Sequence, residues 1–379
     1  MKSVYFDNAA TTPLRQEVIE KMTDVLQKNF GNPSSTHAFG RTAKSLVEQA
    51  RKNIAKVFNV STGELVFTSG GTEADNFVLR GCVKDLGIKT IITSRIEHHA
   101  VLHTAQQLAS EFDVEVKYVN LDEKGAVDYN HLESLLEESK QALVSLMHVN
   151  NEIGNVLDIQ RTAELCKQFD ALFHSDTVQS VGHYTLDLQK IPIDFLAVSA
   201  HKFHGPKGVG FAFIRKGTGL KPLIIGGEQE RGYRAGTESV HNIIGLETAL
   251  TMAYKNLDEE LKYIEGLKGY FIERLKKAIP DIEFNGYSAD FNKSKSTILN
   301  VRLPFPPEKS DTLLFQLDLK GIACSKGSAC QSGSDKGSHV LTEILDESEL
   351  SKPSLRFSFS KFNTPEEVDY VVSVLESIK

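Results

Sequence analysis

The chain has 379 residues, which at roughly 150 residues per domain predicts two domains or one large and one small domain. Its apolar fraction is 40% and its charged fraction 25%, so the composition excludes a disordered, collagen-like or coiled-coil protein. The 43 basic and 50 acidic residues give a formal net charge of −7. No long run of one sign occurs, and nucleic acid is therefore not expected as a main partner.

The sequence also shows no pattern typical of a membrane-spanning helix, a signal peptide or a disulfide framework. No stretch approaches the ~18 consecutive apolar residues of a membrane-spanning helix, and the first residues lack the apolar segment of a signal peptide. Cys82, Cys166, Cys324 and Cys330 contain no Cys-x-x-Cys pair, which argues against a disulfide framework and a zinc ribbon. We expect a cytoplasmic protein with reduced thiols and no membrane partner.

Between residues 60 and 215, short β-branched or aromatic runs alternate with longer helical patterns. This alternation is typical of βαβ units and a mostly parallel sheet. Seven strands are predicted, at 64–69, 90–94, 114–119, 142–148, 171–176, 193–199 and 209–215. Helices that would cover the sheet are predicted at 72–86, 100–110, 130–139 and 159–169. The sequence thus predicts an α/β fold with one doubly wound, seven-stranded layer.

The pattern changes after residue 236. Apolar residues keep a helical period from 239 to 279, which predicts one long helix that links two domains. The remainder predicts a smaller α+β domain, with strands at 296–303, 321–324 and 355–358 and helices at 310–319 and 365–378. We therefore expect a large domain over 15–255 and a small domain formed by 1–14 and 256–379.

Segment 69–76, Ser-Gly-Gly-Thr-Glu-Ala-Asp-Asn, follows a predicted strand and opens a predicted helix. Two glycines let backbone N–H groups approach an anion, and a helix N-terminus favours phosphate. The segment matches neither a Walker loop nor Gly-x-Gly-x-x-Gly. Taken alone, a Gly-Gly segment between a strand and a helix is more often a plain turn.

Two neighbouring strands are predicted to end on polar side chains, Asp176 after one and Lys202 just after the other. In an open α/β sheet, ligands bind at this carboxyl edge. Pyridoxal 5′-phosphate needs a lysine amine for its aldehyde and a carboxylate that keeps its ring nitrogen protonated, and these two residues could supply both. A helix cap and a solvated lysine are the alternative interpretations of the two residues taken singly.

Segment 96–103 concentrates histidines at the start of a predicted helix. His99 and His103 are four residues apart and would share a helix face, so a metal site with His98 is a competing hypothesis. No His-Glu-x-x-His pattern or spaced cysteine supports it. One imidazole stacked on a flat cofactor explains the cluster with fewer assumptions.

Segment 325–338 contains eight glycines or serines in fourteen residues, a composition that predicts a mobile loop. Cys330 lies inside it, where a thiol would be exposed, whereas Cys82 and Cys166 lie in amphipathic helical patterns. A thiol on a flexible segment can attack a bound substrate and carry the product elsewhere. A tolerated free thiol is the simpler alternative.

Taken in order, these motifs resemble the cysteine desulfurases of the class V aminotransferase group, within the fold-type I pyridoxal-phosphate enzymes. The resemblance runs nearly from end to end, and the long loop after Cys330 resembles the housekeeping and nitrogen-fixation type. The matching segments are YFDNAATTP at 5–13, GNPSSTHAFG at 31–40, FTSGGTEADN at 67–76, MHVNNEIG at 147–154, SAHKFHGPKG at 199–208, RAGTE at 234–238, GSACQSGS at 327–334 and SHVL at 338–341.

The resemblance implies a role for each matching residue. Lys202 would form the Schiff base with the cofactor aldehyde. Asp176 would pair with the ring nitrogen, and Gln179 would donate a hydrogen bond to the phenolic oxygen. His98 would stack on the ring and move protons. Cys330 would be the nucleophile. The implied phosphate ligands are Gly71, Thr72, Ser199, His201 and, from the neighbouring subunit of a homodimer, Thr237; the implied ligands of the substrate carboxylate are Asn151 and Arg356.

The same resemblance implies an activity and partners. L-cysteine would be converted to L-alanine, and its sulfur would pass to Cys330 as a persulfide and then to an acceptor such as an iron–sulfur scaffold. A class V aminotransferase, a selenocysteine lyase and a β-lyase on the same fold stay open as alternatives, and so does a non-catalytic scaffold. No resident metal is expected.

Overall fold

The computed structural model describes residues 3–310, 312–326 and 337–378, and a seven-stranded sheet lies at its centre. The strand order is β2-β8-β7-β6-β5-β3-β4. The strands are β2 (Leu65–Thr68), β3 (Thr90–Thr93), β4 (Glu115–Tyr118), β5 (Ala142–Ser145), β6 (Leu172–Asp176), β7 (Phe195–Ser199) and β8 (Gly210–Ile214). All seven predicted strands and the predicted α/β fold are confirmed.

Strand β8 alone runs against the others, since it pairs antiparallel with both β2 and β7. The other six strands therefore end at one common edge. Strands β2, β3 and β5 are buried along their whole length, as expected for a sheet covered on both faces, whereas the edge strand β4 carries the exposed Glu115.

Helices cover both faces of this sheet, and adjacent strand residues point to opposite sides. Val66 packs with one layer and Phe67 with the other. The first layer contains α3 (Gly71–Leu86) and α4 (His99–Glu111). The second contains α1 (Gln16–Lys28), α2 (Ala38–Phe58), α5 (Tyr129–Glu138), α6 (Ile159–Gln168) and α7 (Val240–Lys255). The four predicted covering helices are confirmed, whereas α1 and α2 were not predicted.

The rest of the chain builds a second, smaller core. Its elements are β1 (Val4–Tyr5), α8 (Leu257–Ala278), β9 (Glu283–Phe284), β10 (Ile298–Arg302), α9 (Leu313–Leu319), β11 (Ile322–Ala323), α10 (His339–Ile344), α11 (Glu347–Leu350), β12 (Ser354–Ser358) and α12 (Pro365–Ile378). A three-stranded sheet, β12-β10-β9, packs against α8 and α12, and β1 pairs with β11. The division into two domains at the stated bounds stays a prediction.

The prediction of one helix over 239–279 was wrong, because the chain breaks at Asn256 into α7 and α8. Asn256 has φ −112° and ψ 17°, outside the helical region. The apolar face of α7 packs on α1 and α2, whereas that of α8 packs on α12. The break therefore lies where the chain passes from one core to the other. No helix in the described ranges is both long and apolar enough to cross a membrane.

Candidate active site

A cavity of about 460 Å³ opens at the edge where the six co-directional strands end. Its size suits a small ligand or cofactor. Its walls come from loops after β2, β3, β5, β6 and β7, together with the N-terminal segment and β12. The predicted site residues that line it are Gly71, Thr72, His98, Asn151, Asp176, Gln179, Ser199, His201, Lys202 and Arg356.

The N-terminus of α3 forms one wall of the cavity. Gly70, its N-cap, has φ +152° and offers no capping side chain, so the first N–H groups of the helix are left for a ligand. A Cβ at Gly71 would lie 2.5 Å from the Val178 side chain, so only glycine fits there. Ser199 and His201 line the same cavity. Backbone N–H groups at a helix start suit a phosphate.

Lys202 reaches into the cavity from the turn after β7. Its Nζ donates to the carbonyl oxygens of Ala9 at 2.6 Å and Ala10 at 2.9 Å. The Gln179 side-chain amide donates to the same Ala9 oxygen at 2.9 Å. The N-terminal segment thus orients both side chains, a role that no pattern in the sequence indicated.

Asp176 lies at the end of β6 and is 6% exposed. Its Oδ1 accepts a hydrogen bond from the Val178 N–H at 2.9 Å. Burial raises the pKa of Asp176 to about 6, although the Val178 N–H and the Lys202 charge act in the opposite direction. A positively charged ring nitrogen would favour the ionised form of this carboxyl.

A second carboxyl, Asp75 on α3, lies beside Asp176 and was missed by the sequence analysis. It is 1% exposed, and its Oδ1 lies 3.4 Å from the Nε2 atom of the buried His174. The His174 Nδ1 atom lies 2.8 Å from the Ser145 hydroxyl oxygen. Burial, and then the charges of Asp176 and Glu97, raise the pKa of Asp75 well above its usual range, which favours the protonated form of this carboxyl.

His98 caps the N-terminus of α4, where its Nδ1 accepts a hydrogen bond from the Ala100 N–H at 3.1 Å. Burial, chiefly, lowers the pKa of His98 to about 4, so the ring is neutral at pH 7. Ligand atoms of Asp75, His98 and Asp176 lie within 4.8 Å of one another. A neutral imidazole at the cavity wall suits contact with a flat ring.

His99 and His103 do not join His98 in a cluster of metal-ligand atoms within the described part of the chain. The His99 ring instead stacks on His103, with 4.6 Å between centroids, and lies 4.4 Å from the ring of His339. The structure therefore gives no support to a metal site built on these three histidines.

Arg356 and Asn151 line the cavity and contact each other. Arg356, on β12, is 1% exposed, and its guanidinium donates to the Asn151 carbonyl oxygen and to Asp7 Oδ1, each at 2.8 Å. Its buried Nε has no hydrogen-bond partner in the described structure. A buried guanidinium with an N–H to spare is suited to a carboxylate.

Two of the predicted residues are not placed in this cavity. Cys330 lies outside the described residues, but the flanking serines do not: Ser325 donates to Asp7 Oδ1 at 3.1 Å, and Ser338 donates to Glu152 Oε2 at 2.5 Å. Thr237 lines a separate cavity of about 250 Å³ near the end of α1. Its predicted contact, from a neighbouring subunit, stays a prediction.

Comparison with known proteins agrees with this geometry. The family model described as Aminotransferase class-V matches residues 4–371, and the chain belongs to that family. It is 43% identical to the cysteine desulfurase IscS of Dictyoglomus turgidum over 379 residues, covering 100% of this chain and 94% of the relative. It is 42% identical to the IscS of Methanosarcina thermophila over 380 residues, covering 100% of this chain and 92% of the relative.

Two solved structures are similar over nearly the whole chain. A NifS-like protein is 36% identical with a TM-score of 0.91, and the match covers 100% of this chain and 99% of the other. A structure described as SspA in complex with cysteine is 30% identical with a TM-score of 0.79, covering 96% of this chain and 100% of the other.

Enzymes of this family depend on pyridoxal phosphate, and the cavity residues fit that group. The uncapped start of α3 suits the phosphate, and the Lys202 amine and the buried Asp176 carboxyl line the same cavity. The carboxyl has the raised pKa that an opposing ring N–H would bring down. Lys202, Asp176, Gln179 and the α3 N-terminus are therefore the residues that would hold the cofactor.

Proposed function

We propose that the protein is a pyridoxal-phosphate-dependent cysteine desulfurase. One observation carries the proposal: a single cavity combines a cradle for a phosphate, a lysine, a buried carboxyl, and a buried arginine beside Asn151. The full-length similarity to cysteine desulfurases favours this activity over a general aminotransferase. The overall reaction converts L-cysteine and a Cys330 thiol into L-alanine and a Cys330 persulfide.

The cofactor, when bound, supplies an electron sink for the carbanion that forms at the substrate α-carbon. The amine of Lys202 would take up the α-proton and return one later. Asp176 would keep the ring nitrogen of the cofactor protonated, and His98, neutral at pH 7, could accept or donate a proton at the cavity wall. Arg356 and Asn151 orient the substrate through its carboxylate.

Sulfur transfer is assigned to Cys330. As a thiolate it attacks the substrate sulfur; the S–S bond of the persulfide forms, the carbon–sulfur bond of the substrate breaks, and the substrate carbon is reprotonated as alanine. Ser325 lies beside Arg356, and five residues can span up to ~18 Å, so covalent geometry lets Cys330 reach the cavity.

We also propose a homodimer and a protein sulfur acceptor such as an iron–sulfur scaffold. Phe30 and Phe39 support the dimer, since they are 74% and 58% exposed and stack 5.2 Å apart beside the cavity that Thr237 lines. A neighbouring subunit on this surface would bury them and bring Thr237 toward its phosphate site. Sedimentation of an active monomer would contradict this part of the proposal.

The test of the activity is an absorbance scan of the purified protein before and after L-cysteine is added, with alanine and sulfide measured in the same sample. A yellow protein whose band shifts and that yields both products supports the proposal. The matched variant is Cys330→Ala, which should keep the colour and the spectral response but lose sulfide release. Full turnover by this variant would instead support a β-lyase or an aminotransferase.

A further inference from the structure

The short helix α10, which begins just after the segment that contains Cys330, is docked against the cavity wall. Its Val340 and Leu341 are buried and pack in one cluster with Ile96 and Ile153. These two isoleucines lie in the loops after β3 and β5, which also carry cavity residues. The apolar contact fixes α10 against the edge of the larger core.

A polar contact sets the position of the start of this helix. The Ser338 hydroxyl accepts a hydrogen bond from the Leu341 N–H at 3.0 Å, as an N-cap, and donates one to Glu152 Oε2 at 2.5 Å. The Glu152 side chain is fully buried. Burial raises the pKa of Glu152. Among the contacts that lower it, the hydrogen bond from the Ser338 hydroxyl has the largest effect. Hydrogen bonds to an ionised carboxylate are among the stronger kinds.

Glu152 is also part of the turn that holds the proposed ligands of the substrate carboxylate. Its N–H donates to the Asn150 side chain at 2.9 Å, and its carbonyl oxygen accepts from the Asn300 amide at 3.1 Å. The next residue back, Asn151, accepts from the Arg356 guanidinium at 2.8 Å. One rigid turn thus contacts both the substrate-binding arginine and the start of α10.

His339 adds a second contact at the same place. Its Nε2 atom lies 2.9 Å from the Glu97 carbonyl oxygen, and its ring lies 4.4 Å from that of His99. Glu97 and His99 flank His98 in the chain, so α10 is also fixed relative to this cavity residue.

We propose that Glu152 is a positioning residue for sulfur transfer: through Ser338 it holds the C-terminal end of the Cys330 segment in register with the turn that contacts the substrate carboxylate. This inference rests on the proposed desulfurase activity. Misplacement of reacting groups by about 1 Å can cost up to ~100-fold in rate, so loss of this one contact should slow sulfur transfer more than substrate binding.

The variants distinguish the hydrogen bond from Ser338 to Glu152 from the role of Ser338 as the N-cap of α10. Glu152→Ala removes the acceptor, whereas Glu152→Gln keeps an oxygen for the Ser338 hydroxyl. Ser338→Thr keeps both hydrogen bonds, and Ser338→Asp keeps the cap but has no proton to donate to a carboxylate. Glu343→Ala, on the exposed side of the same helix, is the control for nonspecific effects.

Two readouts are compared in single turnovers with L-cysteine: the change in cofactor absorbance, which reports substrate binding, and persulfide on Cys330, measured by mass spectrometry. For Glu152→Ala and Ser338→Asp we expect persulfide formation to fall at least ~10-fold while the L-cysteine concentration for half-saturation changes less than ~3-fold. Glu152→Gln, Ser338→Thr and Glu343→Ala should stay within ~3-fold of the wild-type protein in both.

Persulfide formation at the wild-type rate in Glu152→Ala would overturn the inference, and so would an equal loss of binding and transfer. If Glu152→Ala does not fold, the pair Ser338→Asp and Ser338→Thr decides by the same criteria. Failure of the wild-type protein to form a persulfide would refute the proposed activity instead, so the two failures are distinguishable.

Discussion

Asp176 should destabilise the protein when the cofactor is absent. Burial raises its pKa from 3.8 to about 6, so between these values the folded protein binds a proton that the unfolded chain releases. Below pH 3.8 the carboxyl is protonated in both states and does not lower the free energy of unfolding. As the pH rises from 3.8 through about 6, the free energy of unfolding falls, because the folded protein must then bury a charge. The rise corresponds to roughly 3 kcal/mol in the free energy of unfolding at pH 7.

The variant Asp176→Asn has no charge to bury and should lack this loss. We expect the difference in the free energy of unfolding between the cofactor-free variant and the wild type to rise by roughly 2.5 kcal/mol, in favour of the variant, from pH 4 to pH 7.5. Urea unfolding followed by tyrosine fluorescence measures both, since the chain has 10 tyrosines and no tryptophan. The exposed Asp281→Asn is the control. An equal pH dependence of the free energy of unfolding in the wild type and Asp176→Asn would refute the reasoning. The variant should also bind the cofactor more weakly, because it lacks the carboxylate that would hold the ring nitrogen.

Two further predictions follow from single contacts. Lys202→Ala should purify without a covalently attached cofactor and remain colourless after desalting, and an absorbance spectrum that matches the wild type would contradict the assignment of Lys202. Glu230→Ala should lower the free energy of unfolding by about 3–5 kcal/mol, because it removes the buried carboxylate that contacts the buried Arg51 guanidinium at 2.7 and 2.8 Å. Glu48→Ala removes the exposed partner of the same Arg51 and should cost less than ~1 kcal/mol in the same urea titration; equal losses would contradict this difference.

Local patterns along the chain were sufficient for the sheet and most of its covering helices. Most strands of the large sheet are short apolar runs between turn signals, and the periodicity of α3 to α6 matched the observed helices within one residue at each end. The break at Asn256 could not be read from periodicity, because both halves keep a helical pattern. Only the packing of α7 and α8 against different cores separates them.

The residue types of the site were also readable, since a lysine and an acid at adjacent strand ends must meet at the carboxyl edge of the sheet. Their partners were not. Asp75 lies 101 positions before Asp176 in the numbering, and no spacing rule links two such residues. The contact of Ser338 with Glu152 joins residues 186 positions apart.

The sequence by itself determined the α/β layer, the chemical groups at its edge and, through motifs that run in order, the family. These depend on the period of apolar residues and on residue types at short spacing, which are local properties. The tertiary structure decided which groups share the cavity, which carboxyls are buried beside each other, and how Ser325 and Ser338 on either side of Cys330 are held. Burial and the proximity of distant residues control those properties, and neither exists until the chain has folded.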